Sequence, residues 1–161
     1  MRLSAVLVCL WWCGLLGGCA NPNLLVVGQS TIEDVRARMG TPTDTRVDRN
    51  GDRLWDYATA PEGFETHRVR IGSDGKVKEV TRLLTEEQLA HVIPGSMNRN
   101  DVRELLGRPS EETSYPAGLT WSWRFRQGGM QPGFLVVAFN PDGAVKEKFV
   151  TVDAACAPRE H

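Results

Sequence analysis

Apolar positions along this chain fall into two series with the same internal spacing. In residues 28–42, GQSTIEDVRARMGTP, Ile32, Val35 and Met39 recur at helical intervals and make one apolar stripe. Sixty-seven positions later, residues 95–109 read GSMNRNDVRELLGRP, and Val102, Leu105 and Leu106 make the matching stripe. Gly28, Asp34, Val35, Arg36, Gly40 and Pro42 fall without a gap on Gly95, Asp101, Val102, Arg103, Gly107 and Pro109. Thr31 and Asn98 stand where a side-chain oxygen caps a helix, and Asp34 and Asp101 can reach back from three residues on. Gly40 and Gly107 suit the left-handed residue that ends a helix, and the prolines forbid continuation. Each copy is therefore a short helix with abrupt ends, too short to stand alone.

After each helix the period changes from helical to alternating. Residues 43–47 and 54–57 flank an Asn50-Gly51 turn, and residues 65–71 alternate Thr66, Arg68 and Arg70 outward against His67, Val69 and Ile71. Asp74-Gly75 then leads into 76–84. The second copy runs through 111–114, 120–126, 134–139, Asp142-Gly143 and 144–152, and Val77-Lys78-Glu79 recurs as Val145-Lys146-Glu147. Ahead of the repeated helices lie 24–27, a poor half-turn, and 86–92, which opens on the capping box Thr85-Glu86-Glu87-Gln88. The expected fold is α+β, a tandem repeat of a unit with two helices on a three-stranded antiparallel sheet. Residues 24–84 form the first unit, 85–153 the second and 154–161 a tail. Units of this size are marginal alone, so the two are expected to pack together.

The first eighteen residues are of another kind. Arg2 precedes an apolar run over residues 3–16, then Gly17, Gly18 and Cys19. This reads as a secretory signal, with too few apolar positions to favour a spanning helix. Leu16-Gly17-Gly18-Cys19 resembles the bacterial lipobox, which implies a diacylglyceryl group on Cys19, cleavage before it and acylation of the new amino terminus. Two or more acyl chains anchor a protein stably. An ordinary secretory signal with an incidental Cys19 is the other reading. Ala20 in place of the Asp that retains enteric lipoproteins in the inner membrane points to the periplasmic side of the outer membrane. Residues 19–23 would form a tether spanning less than ~20 Å, keeping the folded part close to the lipid.

Charge and chemistry narrow the function further. The formal net charge is −1, so no basic excess calls for nucleic acid. Once the signal has left, Cys19 and Cys156 remain, and with Cys19 acylated no disulfide framework can form within the monomer. His67, His91 and His161 lack metal-ligand spacing, and no nucleophile elbow or phosphate loop occurs. No enzyme, metal or cofactor is expected beyond the lipid on Cys19. Trp55 and Tyr57, and the row Trp121, Trp123 and Phe125, alternate along strands and share a face. They are either core under the helices or a platform for a partner. Arg124 and Arg126 fall on the opposite face with Ser122, and the loop at 127–133 is a plausible contact segment.

These residues resemble the SmpA/OmlA (BamE-like) family of outer-membrane lipoproteins. The shared signature, an apolar residue, Gly, a helix cap, Asp-Val and Gly-x-Pro before an aromatic strand, is read over 26–42 and again over 93–109. Similar units build the tandem β-lactamase-inhibitory proteins. BamE itself has one such unit; this chain has two. The resemblance implies two helices on an antiparallel sheet and a non-enzymatic, lipid-anchored module that binds envelope or β-barrel assembly proteins. The alternative is an inhibitor-type or ligand-binding module gripping an envelope enzyme.

Overall fold

A computed structural model describes residues 22–128 and 130–152. A single 3-10 turn at Pro22–Leu24 precedes helix α1 (Ile32–Met39) and strands β1 (Asp44–Val47), β2 (Arg53–Ala58), β3 (Thr66–Ile71) and β4 (Val77–Arg82). Helices α2 (Glu86–Ala90) and α3 (Arg99–Leu106) then lead into β5 (Glu111–Tyr115), β6 (Gly118–Gln127), β7 (Gln131–Phe139) and β8 (Val145–Val152). Two antiparallel meanders result, β1-β2-β3-β4 and β5-β6-β7-β8. Each has four strands, one more than the three expected. The additional members are the short edge strands β1 and β5, which fall in the stretches 43–47 and 111–114 that the sequence already sets ahead of a turn, though their polar pattern left them out of the count.

The spaced motif in the sequence becomes a set of matched contacts. Thr31 and Asp34 form a reciprocal capping box, as do Asn98 and Asp101. Gly40 and Gly107 both end their helices at φ 76°. The amide of Gly28 donates to the Val77 carbonyl at 2.8 Å and that of Gly95 to the Val145 carbonyl at 2.9 Å. The Tyr57 hydroxyl donates to the Gly40 carbonyl at 3.4 Å, and the Trp123 indole N–H to the Gly107 carbonyl at 3.3 Å. Register shifts recur between Arg70 and Ile71 and between Ala138 and Phe139. In the first half the leading helix shrinks to the turn at Pro22–Leu24, in keeping with its weak periodicity.

Each helix buries its stripe on its own sheet. Val35 and Met39 meet Trp55, Tyr57, Val69, Ile71 and Val77. Val102 and Leu106, with Leu89 and Val92, meet the apolar face of the second sheet. Helix α3 has a second duty, because its other side lies on the back of the first sheet. There Arg68 clasps Asp56 through Nε and Nη2 at 2.7 and 2.8 Å, and Arg46 adds a contact of 3.1 Å. Arg68 Nη1 also donates to the Glu104 carbonyl in the last turn of α3, and Arg103 reaches Asp44 at 3.0 Å. Thr66 and Arg68 point away from α1 as expected, yet they are 3% and 7% exposed because α3 covers them. The layers therefore run α1, first sheet, α3, second sheet.

The end of α3 is the tightest point of that stack. A Cβ on Gly107 would meet Asp56 Oδ2 at 3.0 Å and Leu83 Cδ1 at 3.2 Å, whereas one on Gly40 would meet nothing within 4 Å. Both substitutions put a side chain into a positive-φ, extended-ψ conformation (ψ −148° and −166°) that is essentially reserved for glycine, at ~1–3 kcal/mol. Gly107→Ala is expected to lose about 1 kcal/mol or more beyond Gly40→Ala in urea denaturation, through overpacking. Equal losses would contradict the docking of α3 on the first sheet.

Candidate interaction surface

The aromatic positions expected to serve as core or platform are core. Trp121, Trp123 and Phe125 are 6%, 0% and 1% exposed and lie under α2 and α3. Trp121 stands edge-on to Trp123 at 6.0 Å and to Phe139 at 4.9 Å. Trp55 and Tyr57 hold the same place beneath α1, with the Arg36 guanidinium 5.2 Å above the Trp55 ring. Burial pushes the Tyr57 phenol up to about 12, against the pull of Arg36. A solvent-facing platform built from these five side chains is therefore corrected to two helix-covered rows, since both helices need an apolar floor.

Arg124 and Arg126 do lie on the opposite face, where they hold the two halves of the chain together. Both guanidinium groups stand 4.3 Å from the ring of Phe64, in the loop between β2 and β3. Arg124 also donates to the Pro61 carbonyl at 2.6 Å, and Arg126 to the Met130 carbonyl at 3.0 Å.

The surface left open is the rest of that outer face. Tyr115 and Phe149 are 58% and 46% exposed, and Thr120, Val136 and Ala138 are half-buried between them. With Glu147 they line a shallow groove of about 370 Å³. A second groove, about 320 Å³, runs between α2 and β8 over Leu89, Phe125 and Leu135. Its flank is fixed by Lys148, whose Nζ donates to the Leu89 and Ala90 carbonyls at 3.0 and 2.9 Å, at the negative end of α2. The sequence reading passed over Tyr115, Val136 and Phe149. The signal was residues 134–139, apolar at every position instead of alternating, which marks a strand with two apolar faces.

Among the described residues His67 and His91 stand in separate places. His67 sits at 3.0 Å from Glu65 near the first sheet's rim, and His91 ends α2 in solvent. Among the described residues no group of three or more His, Cys, Asp or Glu could hold a metal ion. No described helix is long and apolar enough to cross a membrane. Cys19, Cys156 and His161, the signal segment and the tail lie outside the described residues.

With that geometry in place, residues 82–148 match the family model described as the outer membrane protein assembly factor BamE domain. No curated protein matches the sequence. Among solved structures, 80% of the chain aligns with 82% of a DUF4309 family protein, YjgB, from Bacillus subtilis subsp. subtilis str. 168. That alignment has 16% identity and a TM-score of 0.30.

Core and surface assignments separate in one measurement. Trp123→Ala is expected to cost ~3–5 kcal/mol in chemical denaturation. Phe149→Ser is expected to stay within about 0.5 kcal/mol of the parent. A large loss at Phe149 would show that the outer face is already covered.

Proposed function

We propose that the chain, whose residues 82–148 match the model described as the outer membrane protein assembly factor BamE domain, is a lipid-anchored outer-membrane lipoprotein acting as a non-enzymatic interaction module in the assembly of outer-membrane proteins. The family match is the observation that carries this reading. The matched caps, turns, bulges and hydrogen bonds support counting the first half as a second unit of the same type. The lipobox-like Leu16-Gly17-Gly18-Cys19 supports acylation of Cys19, and residues 19–23 would hold the fold within ~20 Å of the bilayer. Membrane lipid, through Cys19, and envelope or β-barrel assembly proteins are then the partners. The first described residue, Pro22, lies against the first half near Met39 and Tyr57. The open apolar face belongs to the second sheet, so anchoring and binding fall on different units. The alternative, a grip on an envelope enzyme through an aromatic groove, loses its support because Trp121, Trp123 and Phe125 are buried.

Cys19→Ala combined with membrane fractionation and co-purification from gently solubilised membranes tests this. The parent is expected in the outer-membrane fraction with β-barrel assembly proteins attached, and the variant uncleaved or displaced from that fraction. Unchanged residence of the variant refutes the anchor. Absence of any envelope partner, with normal barrel levels in a deletion strain, refutes the assembly role.

A further inference from the structure

The two sheets have equivalent outer faces, and among the described residues only one of them is covered. Strand pairing fixes the equivalence. The Thr43 amide donates to the Asp56 carbonyl at 2.8 Å, as the Ser110 amide does to the Ser122 carbonyl. Asp56 pairs with Arg68 as Ser122 pairs with Val136, and Leu54 with Arg70 as Thr120 with Ala138. Asp44, in register with Asp56, thus corresponds to Glu111, in register with Ser122. On the first sheet, Leu54, Asp56, Thr66 and Arg68 are buried beneath α3; on the second, Thr120, Ser122 and Val136 are half-buried and Glu111 is exposed.

The helix that would complete the second face by the same rule is also free. In the repeat, α1 stands to the first sheet as α3 stands to the second, so Arg36, Ala37 and Gly40 correspond to Arg103, Glu104 and Gly107. Arg103, Glu104 and Gly107 are the residues that α3 lays on the first sheet. Arg36, Ala37 and Gly40 are all exposed, and the one partner described for the Arg36 side chain is the Trp55 ring 5.2 Å away. We propose that α1 of a second copy of the chain docks on the outer face of the second sheet, repeating between molecules the packing that α3 makes within one.

The substitutions between the two settings are complementary. Arg36 meets Glu111 where Arg103 meets Asp44, which keeps the ion pair. The buried charge of Arg68 becomes Val136, and Glu104, which faces it, becomes Ala37, so charge and polar backbone give way to apolar surface and a small residue. Gly40 keeps the close approach of Gly107. Arg124 and Arg126 are already engaged with Phe64 at the far end of the face, and Glu147, the charge on its β8 side, stands 3.9 Å from Lys146. Such a contact is heterologous, since donor and acceptor surfaces lie at opposite ends of the molecule, and it grows as an open chain unless rotation closes it. This inference does not rest on the anchor or on the assembly role.

Sedimentation velocity of the full chain in mild detergent, across a range of protein concentrations, tests it. The mass is expected to rise with concentration. Arg36→Glu and Glu111→Arg should each weaken association by about tenfold or more, and the two together should restore it. Val136→Glu should abolish association while keeping the thermal midpoint the parent shows at its lowest concentration, where it is a single copy. A single-copy species at every concentration overturns the proposal, as does association that neither charge reversal alters.

Discussion

Asp56 is 2% exposed, and a carboxylate so far from water needs every lone pair accounted for. Arg68 and Arg46 supply three contacts between them, and Arg68 spends its remaining reach on the end of α3. Removing one partner of such a pair costs ~3–5 kcal/mol, because the other is left buried without compensation. The same cost applies to any docking of the second half that slides α3 off this spot. The clasp therefore fixes position more than it adds net stability.

That constraint explains how two small meanders become one body. Eight residues of helix cannot persist in water without tertiary packing. Helix α3 obtains it twice, from Val102 and Leu106 on its own sheet and from Gly107 and the carbonyl of Glu104 on the first. Phe64 between Arg124 and Arg126 ties the second sheet back to the loop ahead of β3. Helix α1 has only one sheet to cover, and its outer side stays polar and free. The second sheet likewise keeps an uncovered face, with Tyr115 and Phe149 standing in solvent.

Much of this could be read from the residues. Spacing alone disclosed the duplicated helix, its caps at Thr31 and Asn98, and its stops at Gly40 and Gly107, because backbone rules act locally. The aromatic row was placed on one face by alternation, though alternation cannot say whether a helix covers that face. Turn signals marked the stretches 43–47 and 111–114 that hold β1 and β5, but DTRV and EETSY have too little apolar side to count them as members of the sheet. The clasp was invisible for a deeper reason. Arg68 and Arg70 alternate with Val69 and Ile71 as in any half-solvated strand, and only the arrival of α3 from far along the chain buries Arg68 on that outer face. Long-range packing, not local pattern, made the outer faces unlike.

Native-state hydrogen exchange in low denaturant tests the central claim that α3 makes the two halves one cooperative unit. Amides of β2 and β3 should open with the same free energy as those of α3, β6 and β7. Exchange of the first sheet at several kcal/mol less, while the second sheet and α3 stay protected, would contradict it.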